Sequence, residues 1–268
     1  EAYTATLDTA ESLPDGRSVI VQACLGLGRM LQYDLPREEL EWVQRGLQAV
    51  TSGTLDQAAL LIRLGTVQDI LGDSDAAEQN LQQGLALLPR KPTPLHATAL
   101  GNLGVILAMH GDVEGALGRY HEALRIHRQL NDHWGMLNVW HNLGYELDTA
   151  GRWAEAARYY QQEMELAERL GSQAQQFQAC LGLGILRLKQ GDYAVAEDLL
   201  QQGVALARRK NFTASLSYIL PVLAGLYLQQ EDQSGLAEPL LVEAEMLCEQ
   251  SGGREPLPEI YRNRARVH

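Results

Sequence analysis

One dipeptide, Leu-Gly, recurs along this chain at nearly constant intervals. It occurs at Leu27-Gly28, Leu64-Gly65, Leu103-Gly104, Leu143-Gly144 and Leu183-Gly184, with Leu223-Ala224 as a weaker sixth copy. The last four intervals are 39, 40, 40 and 40 residues. Because the interval hardly changes, the chain is predicted to fold as a row of equal units, each too small to hold a core of its own.

Three further positions repeat with the same register. Seven residues after the Gly of each middle copy, a second Gly opens a polar turn: Gly72-Asp73, Gly111-Asp112, Gly151-Arg152 and Gly191-Asp192. Five residues later stand Ala77, Ala116, Ala156 and Ala196, and four beyond them Leu81, Tyr120, Tyr160 and Leu200. A Gly can end a helix in the left-handed conformation and a following Asp can cap the next one, so each unit is predicted to be a helix pair.

The Gly of each Leu-Gly dipeptide falls inside the first predicted helix, where it costs about 1 kcal/mol relative to Ala. Close approach of the second helix would compensate for this cost. We therefore expect Gly65, Gly104, Gly144 and Gly184 to face the Ala series within their own hairpins. The Leu and Tyr side chains would fill the space on either side.

This pattern, completed by a small residue at Gly84, Ala123 or Gly203, resembles the tetratricopeptide repeat over about residues 17–250. Trp140 matches the aromatic opening position of that family. Two departures predict less regular packing. Glu163 replaces the final small residue of the fourth unit, and the sixth unit has Ala224 for Gly and an extra residue before Ala237.

The period near 40 residues exceeds the usual period of about 34 for such repeats. It is similar to that of the maltose-activator type of bacterial transcription regulator and related signalling ATPases of the STAND class. This resemblance implies a sensor array within a multidomain signalling protein, joined to a nucleotide-binding module and an output module. Because Glu1 falls in what reads as the middle of a helix, we expect the chain to be excised from a longer polypeptide.

The predicted fold is all-α: a right-handed α-solenoid of tandem antiparallel helix pairs, forming a single domain over residues 1–268. A partial repeat at 1–15 and a truncated repeat at 257–268 flank six predicted pairs. These pairs are placed at about 17–51, 55–89, 95–130, 134–171, 174–210 and 214–250. Pro221, inside the first helix of the sixth pair, should kink that helix.

The composition excludes some kinds of partner. The formal net charge of −12 would repel a polyphosphate backbone, so a direct nucleic-acid partner is not expected. Charged and amide residues interrupt every apolar stretch, which predicts no membrane span. Cys24, Cys180 and Cys248 lie far apart in apolar stretches, as buried reduced thiols of a cytoplasmic protein would.

No pattern supports catalysis, and we expect neither an enzyme nor a bound cofactor or metal. The phosphate-binding loop GxxxxGK[ST] does not occur, and the Gly-rich segments 25–28 and 181–184 fall at the repeat register. His121-Glu122 begins like a zinc-binding HExxH helix, but Arg125 occupies the second ligand position. The histidines are therefore expected to be exposed on helices.

The first helices of stacked hairpins would line a concave surface free for recognition. There we predict a binding site for a protein, a peptide or a small polar ligand, densest in the fourth repeat. Its residues are Asn138, His141, Asn142, Tyr145 and Asp148, with Asn102, Met109, Gln178, Arg63 and Tyr33 beside them. Alternatively, the polar groups only keep the wall solvated, and the array is a constitutive scaffold. Adjacent domains of the parent chain and self-association through open repeat ends are the other expected contacts.

Overall fold

A computed structural model describes residues 16–30, 36–251 and 256–267. All regular structure in these ranges is helical and no strand occurs in them, which confirms the all-α tandem-helix prediction. The chain groups into two compact units, Glu1–Gly135 and Met136–His268.

Thirteen α-helices are described. In the first unit they are α1 Gly16–Met30, α2 Pro36–Ala49, α3 Leu55–Ile70, α4 Ser74–Leu87, α5 Pro94–Met109 and α6 Val113–Leu130. Helix α7, His133–Thr149, begins at the boundary and belongs mostly to the second unit. There follow α8 Trp153–Leu170, α9 Gln173–Lys189, α10 Tyr193–Lys210, α11 Thr213–Tyr227, a 3-10 helix Glu231–Leu236, α12 Ala237–Ser251 and α13 Leu257–Val267.

The turns inside the middle helix pairs have the predicted backbone conformation. Their glycines adopt positive φ angles of 86°, 82°, 74° and 78° at Gly72, Gly111, Gly151 and Gly191. Asp73 and Asp112 then cap the following helix, because their carboxylates accept backbone N–H bonds from Ala76 and Gly115. Asp192 stands at the same position without making a side-chain cap bond.

The mid-helix glycines lie where two helices nearly touch. A Cβ placed on Gly65 would lie 2.8 Å from the carbonyl oxygen of Ala77 and 2.7 Å from the side chain of Leu81. At Gly104, the nearest atoms belong to the ring of Tyr120, at 2.5 Å. Contacts this short leave no room for a Cβ unless a neighbour shifts. The predicted approach to the Ala series is seen at Gly65, whereas at Gly104 the Tyr120 ring takes the space.

Each unit has its own apolar core built from these hairpins. In the first unit Ile62, Leu81, Leu103 and Ile106 are buried together between α3, α4 and α5. In the second unit an apolar group of buried residues lies among α9 to α13. Cys24, Cys180 and Cys248 are buried free thiols, as predicted.

Two buried polar residues, His127 and Asn263, were not predicted from the sequence. His127 is buried, although the helix histidines are predicted to be exposed, because its Nδ1 pairs with Asp132 Oδ2 at 2.8 Å across the α6–α7 turn. Helix α11 continues through Pro221, whose carbonyl oxygen accepts a 2.9 Å bond from the buried amide of Asn263 on α13.

Candidate functional site

The first helices of neighbouring pairs lie side by side and parallel. In the second unit Gln175 Nε2 of α9 lies 3.4 Å from Asn138 Oδ1 of α7, and Lys189 Nζ lies 2.7 Å from Asp148 Oδ2. Asn138 and Asp148 follow one another along α7 in the same order as their partners Gln175 and Lys189 along α9, so the two helices run parallel. In the first unit, Asn102 on α5 donates to Thr66 on α3 at 2.7 Å in the same way.

We call the surface made by these two helices of the second unit the α7–α9 face. It comprises Asn138, His141, Asn142, Tyr145 and Asp148 on α7 with Gln175, Gln178 and Lys189 on α9. Four of the α7 residues follow one another at intervals of three, four and three residues, which places them in one stripe about 15 Å long. The structure thus brings the densest part of the predicted site together.

The residues of this stripe differ in burial. Tyr145 is 59% exposed, and Asn138 is exposed beside it. His141 and Asn142 are half-buried, whereas Asp148 is only 8% exposed. The stripe therefore combines an accessible aromatic ring with a carboxylate that is largely removed from water.

The ring of Tyr160, on α8, lies between α7 and α9. A Cβ placed on Gly144 of α7 would meet its ring at 2.6 Å, and one placed on Gly182 of α9 would meet it at 2.7 Å. Gly182 lies outside the Leu-Gly register, so the ring explains a glycine that the repeat pattern does not require. The ring centroid lies 6.0 Å from that of His141.

Glu163 is the departure from the repeat that matters most here. It is 1% exposed, its Oε2 lies 3.3 Å from His141 Nδ1, and its Oε1 has no hydrogen-bond partner. Burial raises the pKa of this carboxyl group, and His141 partly opposes that shift. A position that is Gly or Ala in three other repeats thus holds a buried acid.

The environment of the Tyr160 hydroxyl is negative. Burial raises its pKa above the ordinary value, and the nearby carboxylates of Asp148, Glu163 and Glu146 raise it further. The pKa of Glu146 is itself raised by burial. We call these four residues, with His141, the Tyr160 cluster. Its hydroxyl stays neutral and the cluster carries an excess of acidic groups.

The other predicted site residues lie elsewhere. Arg63 forms an ion pair with the buried Glu39, and so holds α2 against α3. Asn102 is engaged with Thr66, and Met109 is exposed at the end of α5. These residues belong to the first unit, and Tyr33 lies outside the described residues.

Within residues 16–30, 36–251 and 256–267, no three His, Cys, Asp or Glu side chains group as metal ligands would. Over the same part of the chain, every helix is too short or too polar to cross a bilayer.

A family model described as tetratricopeptide repeat matches residues 95–169 and 149–209. The chain also resembles solved structures. Aspartyl phosphate phosphatase F from Bacillus subtilis has a TM-score of 0.72 at 11% identity, over 98% of this chain and 77% of that one. A Rap protein complexed with competence and sporulation factor has 0.69 at 17%, over 98% and 79%. BtubC from P. vanneervenii has 0.62 at 18%, over 96% and 94%.

Identities this low establish a shared fold and nothing more. A search of curated proteins found no match. The described helix pairs therefore have their counterparts in known helical-repeat proteins.

Proposed function

We propose that this chain is an array of tetratricopeptide repeats and acts as a non-enzymatic protein-interaction module. It binds an extended segment of a partner protein on the α7–α9 face. One observation carries the proposal: Asn138, His141, Tyr145 and Asp148 form a single stripe beside a parallel helix, and the ring of Tyr145 is exposed within it. The exposed ring of Tyr145 and the buried carboxylate of Asp148 would offer a partner both apolar area and a hydrogen-bond acceptor.

The size and chemistry of the stripe suit a peptide. Its length of about 15 Å matches roughly five residues of extended chain at about 3.3 Å each. The amides of Asn138, Asn142 and Gln178 both donate and accept hydrogen bonds, as the backbone of such a segment requires. Tyr145 offers apolar area with little side-chain entropy to lose on binding.

We further propose that the array is the sensor region of a multidomain bacterial signalling protein, of the STAND ATPase or transcription-regulator type, in the cytoplasm. The repeat period near 40 residues supports this role. So does the structural likeness to a Rap protein, which was solved in complex with competence and sporulation factor. The competing proposal is a constitutive scaffold that binds partners without responding to them.

Selection of random heptapeptides displayed on phage against this full chain tests the binding face. Selected peptides should lose at least about tenfold in affinity when Tyr145, His141 and Asn142 are replaced together by Ala, because central aromatic and hydrogen-bonding contacts dominate such interfaces. The matched control is Tyr261→Ala, which removes a ring of similar exposure, 53%, on α13. Equal binding by the triple variant and by the unaltered chain would refute the site.

Small-angle scattering with and without a selected peptide separates sensor from scaffold. A sensor changes its radius of gyration or its assembly state on binding, because its ligand favours one of two conformations. An unchanged scattering profile at saturating peptide would instead support the scaffold.

A further inference from the structure

The Tyr160 cluster leaves two acceptor atoms without donors. Asp148 Oδ1 and Glu163 Oε1 have no hydrogen-bond partner, and both side chains are more than nine-tenths buried. A buried acceptor of this kind costs about 1–3 kcal/mol, and more when it is charged. Native proteins leave few such atoms, so each one calls for an explanation.

The charges around these atoms do not balance. Three carboxyl groups, those of Glu146, Asp148 and Glu163, surround Tyr160. Lys189 supplies the one permanent positive charge in contact with them among the described residues, at Asp148 Oδ2. His141 adds another only when it is protonated. A partly buried site with excess negative charge attracts a cation more strongly than a carboxylate in water does.

We propose that the α7–α9 face takes a partner segment bearing an Arg or Lys side chain, whose cationic group takes the place of Lys189 at the Asp148 carboxylate beside Tyr160. This inference rests on the proposed function and adds the chemistry of the occupant. A guanidinium has five donors in a planar fork, enough to satisfy Asp148 and a neighbouring acceptor together. Glu163 and Glu146 strengthen the attraction through their field.

Lys189 is the internal competitor for this position. Its ammonium group lies 2.7 Å from Asp148, but its side chain is 42% exposed and reaches the carboxylate from the end of α9. Because the lysine ammonium group is half-exposed, it can move into water when another cation reaches Asp148. Removing the lysine charge should therefore improve binding of a cationic segment.

Three pentapeptide pools test the proposal on the full chain. Each is acetylated, amidated and fluorescently labelled, carries Arg, norleucine or Glu at its centre, and has mixed uncharged residues elsewhere. Fluorescence anisotropy should show the Arg pool binding about tenfold or more tightly than the norleucine pool, since charge-assisted bonds to a buried carboxylate have that magnitude. The Glu pool should bind most weakly.

Two substitutions with opposite expected effects make the assignment specific. Asp148→Asn keeps the shape and should lower affinity for the Arg pool about tenfold, towards that of the norleucine pool. Lys189→Gln should raise affinity for the Arg pool severalfold more than it changes affinity for the norleucine pool. Glu165→Gln, an exposed carboxylate on α8, is the matched control and should change neither pool measurably.

The outcomes distinguish the two proposals. If the norleucine pool binds as well as the Arg pool and its binding depends on Tyr145, the cationic preference is wrong and the binding face survives. If the Arg pool is preferred but Asp148→Asn and Glu165→Gln act alike, the attraction is general and the assignment to Asp148 is overturned. If no pool binds, both proposals fail.

Discussion

Glu163→Gln should make this protein more stable at neutral pH, although it removes one partner of an ion pair. The carboxylate is buried, one of its oxygens lacks a donor, and its contact with His141 Nδ1 is 3.3 Å long. Charge-assisted bonds are usually about 2.7–2.9 Å, so this contact returns only part of the desolvation cost. A neutral amide of the same volume costs less to bury.

The size of the stability gain expected for Glu163→Gln follows from the unpaired carboxylate oxygen. Burying an unsatisfied polar group costs about 1–3 kcal/mol, and glutamine also leaves an imperfectly paired group in the same space. The net gain in unfolding free energy should be about 1 kcal/mol at pH 8. For a chain of this length that corresponds to a rise of about 2–4 °C in Tm.

The gain should depend on pH with a definite sign. The pKa of Glu163 is higher in the folded chain than in the unfolded chain, so the folded state holds its proton more tightly. The wild type therefore loses stability relative to the glutamine variant as pH rises from the unfolded pKa of about 4.3 through the folded value.

Thermal unfolding followed by circular dichroism at pH 4.5 and pH 8 measures this difference. The gain should be larger at pH 8 than at pH 4.5, whereas the control Glu165→Gln should show no such dependence. A destabilised variant at pH 8 would mean that the His141 contact outweighs the burial cost, and the reasoning would be refuted. An equal gain at both pH values would show that the charge of Glu163 is not its cause.

Three further outcomes are expected. Gly182→Ala should lower the unfolding free energy by about 1–3 kcal/mol in urea titrations, because its Cβ would meet the ring of Tyr160 at 2.7 Å; Gly101→Ala, with nothing within 4 Å, should be neutral or stabilising. Asn263→Ala should cost about 1–3 kcal/mol by stranding a buried carbonyl of α11, and equal protection of that helix in hydrogen exchange would contradict this. Burial raises the pKa of Cys180 to about 11, so iodoacetamide at pH 8 should label it only in urea.

Much of the fold is encoded locally. The glycines with positive φ, such as Gly72, and the close contact between Gly65 and the carbonyl of Ala77 both follow from residues at short, constant separations. Helix periodicity places these residues on known faces before any tertiary contact is considered. The stripe from Asn138 to Asp148 could be predicted for the same reason, since all of it lies on one helix.

What each residue does within that stripe was decided by tertiary structure. The sequence presents Asp148 as one more polar residue of an open wall and Glu163 as an irregularity, but packing buries both. It also sets the ring of Tyr160 between Gly144 and Gly182.

The physical reason is the length scale of the repeat signal. Spacings within a hairpin determine which residues of its two helices meet, whereas the contact of Lys189 with Asp148 depends on how one hairpin is shifted along the next. That shift results from the packing of many side chains across the interface, and no short pattern in the sequence records it. The sequence by itself therefore determined the repeating helix pairs and the exposed stripe, and only the stacking of hairpins created the acidic cluster beneath it.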